Sequence, residues 1–90
     1  MTVNICGIPY TVKDVEDTFG EKPHFGQIDF LKCEIKIHKE LSGKNRSETL
    51  CHEILHGIFT HLGRYDMSGD EQFVQELANA INQTFIINEQ

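Results

Sequence analysis

The sequence predicts one small α+β domain over residues 1–90, in which an N-terminal antiparallel sheet of three to four strands packs on the first of two helices. A length of 90 residues suits a single hydrophobic core. Apolar residues make up 39% of the chain and charged residues 24%, which are ordinary globular proportions. The apolar residues recur with a period of two in the first half and of about 3.6 after Gly43, which marks the change from strands to helices.

Two segments of the first half alternate between apolar and polar residues, as half-buried strands do. Residues 2–12 are rich in β-branched and aromatic side chains and are divided by Gly7, so they predict a hairpin. Residues 25–31 and 33–38 predict a second pair of strands. The apolar face of the last strand carries Cys33, Ile35 and Ile37. Residues 13–24 have mixed charges, a glycine and a proline, and predict a loop or short helical turn.

The first helix is expected over about residues 46–62. Asn45 and Glu48 have the spacing of a capping box, and the apolar stripe after them ends just before a glycine. This stripe consists of Leu50, Ile54, Ile58 and Leu62.

The second helix is expected from about residue 69 to the late eighties. Ser68 and Glu71 form another capping box, and an amphipathic stripe follows them. Its apolar members are Phe73, Val74, Leu77, Ala78, Ile81 and Phe85.

Charge and composition narrow the function classes. The formal net charge of −6 repels phosphate backbones, so no nucleic-acid partner is expected. No apolar run is long enough to span a bilayer, and the first residues lack a signal-peptide pattern, so we expect no membrane association and a cytoplasmic location. The three cysteines are an odd number without a C-x-x-C pair, which favours reduced thiols.

Residues 52–56 carry the pattern His-Glu-x-x-His. Residues four apart lie on the same face of a helix, so His52 and His56 can present two imidazole nitrogens to one tetrahedral Zn²⁺. Glu53 lies beside the first histidine, where its carboxylate can act as general base on a water molecule at the metal. A helical wheel places both histidines and Phe59 opposite the apolar stripe. The sequence therefore predicts a zinc site on the uncovered side of the first helix.

A catalytic zinc site usually needs a third protein ligand. His61 lies five residues after His56 and is rotated towards the apolar side, so it cannot join the metal from the same helix. The remaining candidates are three carboxylates near the start of the second helix: Asp70, Glu71 and Glu76.

Residues 71–78, Glu-Gln-Phe-Val-Gln-Glu-Leu-Ala, fit the pattern Glu-x-x-small-x-x-apolar-Ala. With the His-Glu-x-x-His motif upstream, the chain resembles small phage and prophage zinc metallopeptidases related to the ImmA/IrrE group, and gluzincins more widely. The resemblance implies a minimal zincin-like domain that hydrolyses peptide bonds, with Glu71 as the third zinc ligand. It also implies that Gln75 takes the place of an aspartate that often orients a zinc histidine in such proteins.

The implied partner is a peptide or protein substrate, with regulatory proteins as the expected class. An exposed strand beside the cleft, expected at residues 34–38, would hold an extended substrate by β-augmentation.

Two other functions stay open. Ninety residues leave little wall for a cleft, so the chain could be a zincin-fold binding module whose metal is structural or absent. Residues 56–57 and 61–66 also resemble the three-histidine zinc motif of bacterial rRNA-maturation endoribonucleases. In that comparison the spacing differs by one residue, and Met67 stands where the last histidine belongs.

Overall fold

The computed structural model describes residues 1–16 and 25–85, and within them the chain forms four strands followed by three helices. The predicted α+β class, with strands before helices, is confirmed. The elements are β1 (Thr2–Ile5), β2 (Ile8–Val15), β3 (Gly26–Asp29), β4 (Glu34–His38), α1 (Gly43–His61), α2 (Tyr65–Ser68) and α3 (Glu71–Thr84). Residues 13–15 of the predicted loop belong to β2, and residues 17–24 lie outside the described residues, as do residues 86–90.

The strands form one mixed sheet in the order β1-β2-β4-β3. Two antiparallel hairpins, β1–β2 and β3–β4, are joined side by side through a parallel pairing of β2 with β4. The prediction of a wholly antiparallel sheet is therefore wrong. Alternation along a strand is the same in parallel and antiparallel pairs, so the residue pattern does not specify which strands become neighbours.

The topology also corrects the choice of edge strand. β4 lies between β2 and β3 and is not exposed at an edge, whereas β3 is the outermost strand on that side of the sheet. The expected site of β-augmentation at residues 34–38 is therefore wrong, and β3 is the strand that an extended peptide could reach.

Helix α1 lies between the sheet and α3 and is covered on two sides. The first core joins the sheet to α1 and consists of Ile5, Tyr10, Val12, Ile35, Ile37 and Leu50. The second core joins α1 to α3 and consists of Cys51, Leu55, Val74 and Ala78. The expectation of a single apolar stripe was incomplete, since Phe59 packs on Phe73 of α3 with ring centroids 5.9 Å apart and Leu62 is 62% exposed. His52 and His56 lie on a third side of α1, an open strip where their side chains are 15% and 13% exposed.

Gly57 allows α1 to lie close against the sheet in the turn that carries His56. A Cβ atom at this position would lie 2.9 Å from Cδ1 of Ile5 and 3.2 Å from Cδ1 of Ile28. Because these are side chains of the packed sheet face, a larger residue would push α1 outward. This close contact holds the turn of α1 that carries His56 against the sheet.

Both predicted capping boxes are absent from the structure. α1 begins at Gly43 after the N-cap Ser42, without a side-chain cap, and Glu48 pairs instead with Lys44 at 3.8 Å. α3 is capped by Asp70, whose carboxylate accepts a hydrogen bond from the backbone N–H of Phe73 at 3.1 Å. Ser68 belongs to α2 and contacts His56, so it forms no capping box with Glu71.

No helix in the described part of the chain combines the length and the apolarity needed to cross a bilayer.

Candidate metal centre

Three side chains from α1 and α3 bring their ligand atoms together at the open strip of α1. Nε2 of His52 lies 3.0 Å from Nε2 of His56. The two carboxylate oxygens of Glu71, the first residue of α3, lie 3.1 Å from these nitrogens, one oxygen against each. One ligand atom from each of the three residues falls within 4.8 Å of the others, so the group could hold a metal ion.

These separations are close to those of a tetrahedral metal site. With bonds of about 2.0–2.1 Å, tetrahedral ligand atoms lie about 3.3 Å apart. The two histidine nitrogens lie 3.0 Å apart, and each lies 3.1 Å from a different oxygen of Glu71, so small side-chain movements would bring the group to that size. Three protein ligands also leave one tetrahedral position for water or substrate.

The outer nitrogen of each histidine has a hydrogen-bond acceptor. Nδ1–H of His52 donates to Oε1 of Gln75 at 2.8 Å, and the amide nitrogen of Gln75 in turn donates to Asn79 at 2.9 Å. Gln75 thus lies where the resemblance expects an orienting residue. Its contact fixes the His52 tautomer that leaves Nε2 free to bind a metal.

Ser68 has the corresponding position beside His56. Its hydroxyl donates to the backbone carbonyl of His56 at 3.4 Å and accepts from Nδ1–H of the same residue at 3.3 Å. Thr60 lies 3.1 Å from the same hydroxyl. With both Nδ1 atoms acting as donors, two Nε2 lone pairs face each other at 3.0 Å, and they repel unless a cation or a proton lies between them.

Burial favours the neutral imidazole that a metal requires. The pKa of His56 is lowered mainly because its ring is removed from water, an effect that the charge of Glu71 partly opposes. Neutral histidine is the form that coordinates a metal ion. The side chains of His52 and His56 are 15% and 13% exposed, whereas that of Glu71 is 70% exposed, so Glu71 reaches over the site from its outer side.

Glu53 stands beside the triad on the side facing the sheet. It is 8% exposed, and burial, with a smaller contribution from the charge of Glu71, raises its pKa to about 7. A carboxylate with a pKa near neutrality is suited to accept and return a proton. A divalent cation on the neighbouring ligands would act in the opposite direction and favour the ionised form.

Gly26 of β3 makes room for this carboxylate. A Cβ atom on Gly26 would lie 2.7 Å from Cγ2 of Thr49 and 3.3 Å from Oε2 of Glu53. The absence of a side chain therefore lets the edge strand approach α1 at the position of Glu53. Nothing in the local sequence pattern distinguishes this glycine from one needed for a turn.

Two cavities, of about 540 Å³ and 570 Å³, meet at the site. Both are lined by Gly26, His52 and Glu53. One extends towards the start of β3 and of α1, and the other along β3 towards Ser68 and Glu71. Together they form a groove that passes the triad along the edge strand.

The other candidate ligands are engaged elsewhere. Asp70 caps α3, and Glu76 accepts a hydrogen bond from Gln72 at 3.0 Å on the exposed side of that helix. His61 is hydrogen-bonded to the Tyr10 hydroxyl at 2.7 Å, away from the other two histidines. Among the residues that the structure describes, the only histidine, cysteine and carboxylate group with metal-site spacing is His52, His56 and Glu71.

Thr60 and Gly26 are site residues that the sequence did not single out, and Ser68 was predicted as a helix cap, not as a partner of His56. Thr60 follows His56 by four residues and so shares its helix face, and this spacing could have predicted its place at the site. The contact between Ser68 and His56 depends on the turn after α1 and has no local signature.

Comparison of the chain with protein-family models, with curated proteins and with solved structures finds no match.

Proposed function

We propose that this protein is a zinc-dependent metallohydrolase that cleaves peptide bonds. His52, His56 and Glu71 hold the zinc ion, and Glu53 is the general base. The observation that carries the proposal is the convergence of two imidazole nitrogens and the Glu71 carboxylate at 3.0–3.1 Å, beside the buried carboxylate of Glu53 at the groove. Two imidazoles and one carboxylate are a donor set typical of catalytic zinc.

Bound zinc would supply a Lewis acid that polarises the substrate carbonyl and lowers the pKa of water at the open position. Glu53 takes one proton from the attacking water as the new carbon–oxygen bond forms. It then delivers that proton to the amine nitrogen as the carbon–nitrogen bond breaks, so the carboxylate ends in its starting state. Gln75 and Ser68 hold the two histidines in the required tautomers.

Backbone groups on the outer edge of β3 support an extended peptide as the proposed substrate. The backbone N–H of His38 donates to the carbonyl of Phe25 at 2.8 Å, so these two residues form a hydrogen-bonded pair across β4 and β3. Pair types alternate along an antiparallel ladder, and the backbone groups of Gly26 and Ile28 therefore point away from β4. In the described chain, no strand occupies that side of β3. A peptide paired there would pass next to Glu53.

The resemblance to phage and prophage metallopeptidases supports a regulatory protein as substrate and a cytoplasmic site of action. The three free cysteines agree with a reducing compartment.

A zincin-fold binding module is the second candidate. Two features favour weak metal binding, as expected of such a module. The Glu71 side chain is 70% exposed, and the residue that accepts the hydrogen bond from His52 is the neutral amide of Gln75 and not an aspartate.

Zinc analysis and peptide hydrolysis on the same samples test these functions. We expect about one equivalent of zinc in the wild type and in Glu53→Gln, with hydrolysis of a mixed peptide library falling at least about 100-fold in the variant. Glu76→Gln is the matched control, since it removes an exposed carboxylate of α3 and should change neither readout.

The outcomes separate the candidates. Bound zinc with no cleavage in the wild type favours the binding module. Less than about half an equivalent of zinc, unchanged by His52→Ala, overturns both zinc proposals.

A further inference from the structure

We propose that the cavity at the start of β3 is a subsite for a positively charged side chain, arginine or lysine, close to the scissile bond. This inference rests on the proposed function, because it names the substrate class of the same groove. The Glu48 cavity, as we call it, has a volume of about 540 Å³. Apart from residues at the metal centre, it is lined by Phe25, Leu41, Asn45, Glu48 and Thr49.

The charge of the groove favours a cation. Glu48, Glu53 and Glu71 line the two cavities, and no lysine or arginine of the described residues does. In the proposed reaction Glu71 binds zinc and Glu53 transfers the proton. Of the three carboxylates in the groove, only that of Glu48 is therefore available to recognise the substrate. Lys44 lies 3.8 Å from Glu48 and is 67% exposed. The Glu48 side chain is 24% exposed, and a pair this long with an exposed lysine is weak and yields to a better-placed cation.

The apolar part of the Glu48 cavity suits the stem of a long basic side chain. Phe25 is 60% exposed and stands at the cavity together with the half-buried Leu41. Arginine and lysine pack their methylene groups on such surfaces while the charged end remains solvated or paired. A guanidinium near the Phe25 ring would gain a further cation–π attraction. The combination of one carboxylate and two apolar side chains therefore fits a basic residue better than an acidic or a small one.

The distance from the metal centre places this subsite next to the scissile bond. Glu48 precedes His52 by one helical turn, which is about 6 Å along the axis of α1. An extended peptide advances about 3.3 Å per residue, so a side chain one or two residues from the bond at Glu53 reaches the level of Glu48.

Peptide binding to the zinc-supplemented Glu53→Gln protein tests the subsite without hydrolysis. The probes are two fluorescein-labelled alanine hexapeptides with blocked termini, one with a central arginine and the other with citrulline, which has nearly the same shape but no charge. Fluorescence polarisation is expected to show at least about tenfold tighter binding of the arginine peptide, the size of a charge-assisted contact. Adding Glu48→Gln should reduce this ratio to about one, whereas Glu48→Asp should keep part of it.

Glu76→Gln in the same background is the matched control for the overall acidity of the protein. It removes one negative charge from the exposed side of α3, outside both cavities, and should preserve the arginine preference. The subsite is overturned if neither peptide binds, if Glu48→Gln leaves the ratio intact, or if Glu76→Gln or Glu48→Asp abolishes it as completely. An arginine preference that depends on Glu48, in a protein whose wild type cleaves nothing, would retain the subsite and reject the hydrolase.

Discussion

Replacing Glu71 by glutamine tests the candidate metal centre at the ligand position that the residue pattern left open among three carboxylates. Glu71 supplies the α3 ligand, while both histidines belong to α1, so a bound ion would link the two helices through this one side chain. Without metal, the substitution should have little effect on stability, because the Glu71 side chain is 70% exposed. The effect is therefore expected only when zinc is present.

The size of the effect follows from linkage between binding and folding. Zinc held at 100 times its dissociation constant adds about 2.7 kcal/mol to the free energy of unfolding. For a domain of this size, each kcal/mol raises the melting temperature by about 4–8 °C, so zinc should raise that of the wild type by about 11–22 °C. At the same zinc concentration, Glu71→Gln should show less than about a third of this rise, since a two-histidine site lacks the anionic ligand and the bridge to α3.

The assay is thermal unfolding followed by circular dichroism, with chelator and with buffered zinc. Glu76→Gln is the control, because it makes the same chemical change on the same helix at the rival ligand position, and it should retain the full rise. A rise that survives Glu71→Gln but not Glu76→Gln would refute the assignment of the third ligand. A wild type whose melting temperature does not respond to zinc would refute the metal centre itself.

Three further predictions address the support of the site. Ser68→Ala should weaken zinc binding by about 10–100-fold, because His56 loses its hydrogen-bond partner; a competition titration with a chromogenic chelator measures the change. The control is Thr84→Ala, which removes a hydroxyl at the far end of α3 and should leave zinc binding unchanged. Gly57→Ala should lower the free energy of unfolding in urea by about 1–3 kcal/mol, since the added methyl group meets Ile5, and an unchanged midpoint would contradict the close packing of α1 on the sheet. In chelator, His56 should contribute a loss of stability as the pH drops below the ordinary histidine pKa of about 6.5, because burial lowers the pKa of His56 in the folded chain and the unfolded chain binds more protons there. The raised pKa of Glu53, about 7, contributes a gain of stability over the same range, so the His56 contribution is measured as the difference between the wild type and His56→Gln. An identical pH dependence in both proteins would show that the ring is not held in its neutral form.

The local sequence was sufficient to predict the strands, the two longer helices and the histidine pair, but not the short helix α2. Alternation over residues 2–12 and 33–38 appears as β1, β2 and β4, and the change of period after Gly43 coincides with the first residue of α1. His52 and His56 converge because a spacing of four residues is a property of the helix itself. Such relations depend only on neighbouring residues and survive any change in how the elements are packed.

Tertiary packing decided the rest. The parallel pairing of β2 with β4, which makes β3 the edge strand, depends on how two hairpins dock, and each hairpin has the same residue pattern in either arrangement. The second core on α1 was hidden because a wheel shows which residues are apolar but not how many partners the helix has.

The position of Glu71 beside the histidines was likewise decided by tertiary packing and not by the local sequence. Asp70, Glu71 and Glu76 are equivalent as carboxylates near the start of one helix, and only the position of α3 against α1 brings one of them within 3.1 Å of both histidine nitrogens. The sequence by itself therefore determined the two candidate ligands that share a helix. The third candidate ligand, the partner of His56 and the edge strand depend on contacts between residues distant in the chain, which the packing of the two cores sets.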